Sequence, residues 1–216
     1  LGFALSHPGH LFKQRYLYLL AFYLFFQGGI ETITNNWTTL YLTNHLQISS
    51  TNALYALSLF VVGMTVMRLL IATVFKSTPF IRLMIASLSI VFVGILLIAF
   101  GQSYPYAVAG LILIGVGLAA GFPIIMGLAG ERFPERTATV FSFIFTIVLA
   151  GNMLFNYLMG VVSSSVGIRH YTTITLIDLV FMFIFAYLVY KSSGKSPSAA
   201  KEELKTKASL QEQTII

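Results

Sequence analysis

Six apolar runs, at residues 16–42, 53–75, 80–101, 106–128, 137–162 and 172–190, fill most of this chain. Each is long enough to cross a lipid bilayer, whose hydrocarbon core takes about 20 residues of helix. Lipid offers no partner to a backbone N–H or C=O, so runs of this length must close their hydrogen bonds internally as helices. The basic residues between them fall on alternate connections. Lys13 and Arg15 share a side with Arg68, Lys76 and Arg82, with Arg132 and Arg136, and with Lys191, Lys195, Lys201, Lys205 and Lys207; of 13 Lys and Arg, only Arg169 falls opposite. Positive charge in short loops resists translocation, so the pattern predicts six transmembrane helices with both termini cytoplasmic. The organisation expected is a linker over 1–15, a six-helix bundle over 16–191 and a disordered cytoplasmic tail over 192–216.

Composition removes most other classes. The chain is 57% hydrophobic and 9% charged, against about 25% charged residues in soluble domains. Its net charge of +6 sits at helix ends, where anionic lipid and orientation account for it, so no nucleic-acid partner is expected. With no cysteine there is no disulfide, thiol redox centre or thiolate metal site. His7, His10, His45 and His170 have no ligand spacing, so no metal and no cofactor is expected. Gly115, Gly117 and Ala120 match a dinucleotide-fingerprint spacing, but inside an apolar span they read as helix-contact glycines. No nucleophile, base and orienting acid assemble, so the chain is not read as an enzyme. No cleavable signal peptide is visible; the chain opens on Leu1, and a larger polypeptide is expected to continue upstream.

Three helices is an odd number, so the second three enter from the opposite side and the bundle is an inverted repeat by topology, with no convincing residue identity between its units. Gly28 and Gly29 interrupt the first helix; Gly115, Gly117, Gly121 and Pro123 interrupt the fourth. Such breaks at corresponding places in two repeats mark a transporter's binding site. Here the chain resembles the C-terminal six-helix half of a twelve-helix major facilitator superfamily transporter, on the side of the fucose permease-like sugar:proton symporters. The resemblance rests on Gly28, Gly29, Ile30, Glu31, Asn35, Asn36, Trp37 and Tyr41; on Gly63 to Arg68; on Pro123 with Glu131, Arg132, Phe133 and Pro134; on Ala150, Gly151 and Asn152; and on Gly160, Gly167 and Ile168. It implies an inner-membrane protein that moves a small polar solute by alternating access between this half and a missing N-terminal half, with a proton as co-substrate.

Glu31 is the leading candidate for the site, because a charge in mid-span costs at least a few kcal/mol unless it faces water, protein or substrate. At about 100° per residue, Gln27, Glu31, Thr34, Thr38 and Tyr41 fall within an arc of about 80°, with Asn35 at its edge. Their hydroxyl, amide and carboxylate groups can replace the water around a polyhydroxylated solute, and Trp37 can stack on a sugar ring. The competing reading is helix glue, with Trp37 and Tyr41 as interfacial residues. Asn152 and Asn156, four apart, share a face that meets either the substrate or a neighbouring helix. Asp178 is read as protonated or paired with another helix rather than as a ligand. The resemblance implies that Arg68, Glu131 and Arg132 form a cytoplasmic gate; plain positive-inside anchoring explains the two arginines but not Glu131. The expected function is secondary active transport of a monosaccharide by proton symport. The alternatives are another small organic solute, or a membrane subunit that transports nothing.

Overall fold

The structure is a computed structural model and describes residues 14–75 and 78–193. The expectations for the linker before Gln14, for Lys76 and for the tail from residue 194 lie outside the described residues. Six helical spans run through the rest, and no strand occurs among the described residues. They are α1 (Arg15–Asn44), α2 (Ser50–Thr73), α3 (Phe80–Gly101), a fourth span made of α4 (Tyr104–Leu118) and α5 (Gly121–Arg132), then α6 (Thr137–Ser165) and α7 (Tyr171–Ser193). Connections are tight. Ser49 caps α2 by accepting from Asn52 N, Gln102 ends α3 in the left-handed region at φ 40°, and Gly167 turns at φ 96°, a conformation that suits glycine, before α7.

The two expected interruptions part company. Pro123 has no N–H to give the carbonyl of Ala119 and its ring crowds that carbonyl, so the fourth span breaks at Ala119–Ala120. No proline accompanies Gly28 and Gly29, and α1 continues unbroken through both. Their role is contact. A Cβ at Gly28 would run into the amide of Asn152 on α6, and one at Gly29 would sit 2.5 Å from Asp178 Oδ2 on α7 and from Phe155 on α6.

The inverted repeat is visible in the packing. α1 lies against α6 and α7, while α4 lies against α2 and α3. The leading helix of each three-helix unit is therefore buried by the second and third helices of the other unit. Glycines at matching positions make this possible. A Cβ on Gly63 of α2 would stand 3.0 Å from Ile112 O of α4; one on Gly151 of α6, the equivalent place one repeat later, would stand 2.8 Å from Phe25 O of α1. Gly29 faces Asp178 as Gly117 faces Val91. On α3 and α4, Gly94 and Gly110 each put a hypothetical Cβ within 2.7 Å of the other's carbonyl, so the backbones touch. Between helices in lipid, where no hydrophobic drive operates, such small-residue approaches supply the packing. The residue-level trace of the repeat is thus a set of glycines, which sequence identity alone did not reveal.

Candidate functional site

Neighbouring helices can hide a polar helix face or a cavity can expose it, and α1 does both. Gln27, Thr34, Thr38 and Tyr41 are buried in the bundle. Gln27 Nε2 donates to Leu118 O at 3.0 Å, tying α1 to the carbonyl at the break in the fourth span. Thr38 Oγ1 and Tyr171 Oη share a 2.8 Å hydrogen bond, and the Tyr41 ring stacks on Tyr171 at 4.9 Å. For these residues the geometry matches packing between helices. The stripe expected as one binding surface divides at Glu31, because the arc straddles the border between the buried sector of α1 and its open one.

The open sector lines a cavity of about 160 Å³ formed by Gly28, Glu31, Thr32, Asn35, Asn36, Phe122, Val148 and Asn152. Glu31 is half-buried there, and Asn35 and Asn36 are exposed. Asn35 Nδ2 donates back to Glu31 O at 2.9 Å. Asn152, with its amide nitrogen turned to the carbonyls, donates to Gly28 O at 3.0 Å and to Val148 O at 3.3 Å. Asn156 sits on the same face of α6 but outside the cavity lining. Its Oδ1 accepts from Trp37 Nε1 at 2.8 Å and from Asn36 Nδ2 at 3.2 Å. Trp37 thereby spends its indole N–H on the α1–α6 contact, and its six-membered ring lies over Gly160. Thr32, Phe122 and Val148 escaped the sequence reading, and Gly28 and Asn36 were noted in it but not as lining residues. The polar members recur on α1 at the i, i+4, i+8 spacing from Gly28, a second stripe beside the one chosen.

The three charged residues expected at a gate are not gathered at one point. Arg132 places its guanidinium 5.8 Å from the centre of the Tyr16 ring, and Glu131 and Ser193 also act on Tyr16. Arg68 instead lies within electrostatic reach of Glu31. Asp178 is 1% exposed, and among the described residues neither carboxylate oxygen has a hydrogen-bond partner, on another helix or on its own.

The sequence profile of the Major Facilitator Superfamily matches residues 4–215. Among individual proteins, the chain is 26% identical over 148 residues to the glucose/mannose transporter GlcP of Bacillus subtilis (strain 168), a stretch covering 68% of this chain and 36% of GlcP. Among solved structures, the transporter FucP in its outward conformation superposes with a TM-score of 0.73 at 19% identity, over 83% of this chain and 43% of FucP. The chain thus spans less than half the length of each of these relatives. FucP carries the fold likeness alone, and both relatives are transporters rather than enzymes. With the profile running nearly end to end over six spans whose packing superposes on one half of a known transporter, this chain belongs to the Major Facilitator Superfamily.

Proposed function

We propose that this chain is the C-terminal half of a secondary transporter for a monosaccharide, working by alternating access with proton symport. The observation that carries the reading is the cavity on α1, where Glu31, Thr32, Asn35, Asn36 and Asn152 meet in mid-span. Polar groups at that depth are costly unless a solute or water uses them. Its volume of about 160 Å³ falls below the roughly 300–1,000 Å³ of a complete small-molecule site, which fits a site closed by a second, N-terminal bundle. The relative named as a glucose/mannose transporter supports a sugar as solute. In this reading Glu31, Asn35 and Asn152 contact sugar directly. Gln27, Thr34, Trp37, Thr38, Tyr41 and Asn156 hold α1 in place for them. Arg68, Glu131 and Arg132 bias the Arg15 end between its open and closed arrangements, Arg68 through the field it shares with Glu31.

Both termini are proposed to be cytoplasmic, with residues 1–15 a linker and 192–216 a tail, in the inner membrane of a bacterium. The absence of cysteine makes the topology easy to test with single-cysteine variants. Impermeant maleimide added outside is expected to label positions 47 and 102 and to spare position 135; labelling at 135 refutes the orientation. Transport itself is measured with the complete protein in proteoliposomes. Uptake of a labelled hexose that rises with an inward proton gradient is the expected result. Hexose flux that ignores the gradient removes symport and leaves transport standing; no flux of any hexose removes the sugar.

A further inference from the structure

Asp178 is not part of the cavity lining: Gly28 borders the cavity, while Asp178 sits against Gly29, about 100° further round α1. Gly29 and Phe155 close over it, and a Cβ at Gly29 would collide with both. Its surroundings differ on the two sides along the bundle. Toward the Arg15 end lies a stack of phenylalanines: Phe26 lies 5.1 Å from Phe181 and 5.3 Å from Phe185, and Phe155 lies 5.5 Å from Phe25 and 5.9 Å from Phe26. Toward the His45 end lie hydroxyls. Thr175, nearly one turn away on α7, donates to Tyr171 O at 2.8 Å; the Tyr171 hydroxyl meets Thr38 at 2.8 Å, and the buried Thr34 hydroxyl also acts on Tyr171. Beyond them the Tyr41 ring reaches the His45 ring at 5.2 Å.

A carboxylate buried with no donor and no counter-charge costs several kcal/mol as an anion, so Asp178 rests as the neutral acid. No charged side chain and no side-chain hydrogen bond acts on it among the described residues. α1 turns its own carboxylate, Glu31, to the cavity. The titratable groups on the other two helices packed nearby are Tyr157 of α6, which is exposed, and Arg82 of α3, near the start of that helix. Packing alone would favour an aliphatic side chain here, as at the equivalent place in the first repeat: Gly117 faces Val91 where Gly29 faces Asp178.

We propose that Asp178 is a proton-binding site, loaded from the His45 end along the Thr38, Tyr171 and Thr175 hydroxyls and sealed from the Arg15 end by the phenylalanine stack. In the resting acid, one carboxylate oxygen carries a proton delivered by a hydronium ion at the His45 end, which leaves as water. That O–H bond breaks to water at the Arg15 end once α1 and α7 part at Gly29. The proposal rests on the symport reading above and assigns its proton to a residue outside the sugar cavity.

The test uses the complete protein in proteoliposomes. Asp178→Asn keeps the shape of the side chain and is expected to reduce gradient-driven hexose accumulation to the equilibrated level while hexose counterflow continues. Accumulation that survives in Asp178→Asn overturns the proposal and leaves symport intact. Should the variant not fold, infrared spectra of the unmodified protein decide: a carboxylic-acid C=O band is expected whose shift in heavy water is slowed by Tyr171→Phe. Absence of that band, or an exchange rate indifferent to Tyr171→Phe, overturns the proposal whether or not the wild-type flux follows the gradient.

Discussion

Replacing Glu31 by Gln in the complete transporter is expected to weaken hexose binding by about tenfold or more while leaving the fold nearly as stable. A hydrogen bond to a charged acceptor contributes about 1.5–3 kcal/mol, and about 1.4 kcal/mol corresponds to one decade of affinity. Glutamine fills the same space at the cavity edge and keeps the polar contact, so the fold loses little. Gln27 is the matched control. It is one turn away on the same helix but wholly buried, holding Leu118 O. Gln27→Met should therefore lower the thermal midpoint in detergent and leave affinity, measured on the folded fraction, within about twofold, since the change falls outside the cavity lining. Calorimetric titration of both variants reads the difference. Equal affinities for Glu31→Gln and wild type would falsify the placement of Glu31 in the site.

The largest stability effect is expected at Gly115. A Cβ there would be driven against the backbone of α2, the Phe60 carbonyl and, at 3.1 Å, the Met64 nitrogen. Backbone cannot rotate aside as a side chain does, so Gly115→Ala must separate α4 from α2 and should cost about 1–3 kcal/mol, the range for overpacked cores. Gly127 and Gly130 on α5 have no atom within 4 Å of the same hypothetical carbon. Alanine at either should stabilise the helix by up to about 1 kcal/mol, since glycine is the poorer helix former. Thermal unfolding of the three variants in one detergent gives opposite signs if the crossing is as described. A Gly115→Ala protein at least as stable as the parent sinks the close approach.

Hydropathy made the six spans legible because each helix is dictated locally: lipid forces every run of that length to satisfy its own backbone. The α4–α5 break was legible for the same reason, as Pro123 acts on the turn just before it. The two faces of α1 were not. Gln27 and Glu31 lie on one helical stripe, yet one meets Leu118, 91 residues on, and the other open space, because what covers α1 comes mostly from helices far along the chain. Periodicity reports which residues share a direction; it carries nothing about what occupies that direction. Asn36 and Trp37 show the same limit. The sequence offered ligand contact for Trp37 and no contact of its own for Asn36, while Asn156 accepts from both side chains and Asn36 also lines the cavity.

The exchanged packing of the two units also governs how the protein is made. Among these six spans α1 is synthesised before the others, and its partners α6 and α7 come after them. Until those spans arrive, α1 lacks the two helices that cover most of it, and a bundle of the first three spans alone cannot supply that cover. A chain cut after α5 would leave the α6- and α7-facing side of α1, with Trp37, Thr38 and Asn36, without its hydrogen-bonding partners Asn156 and Tyr171.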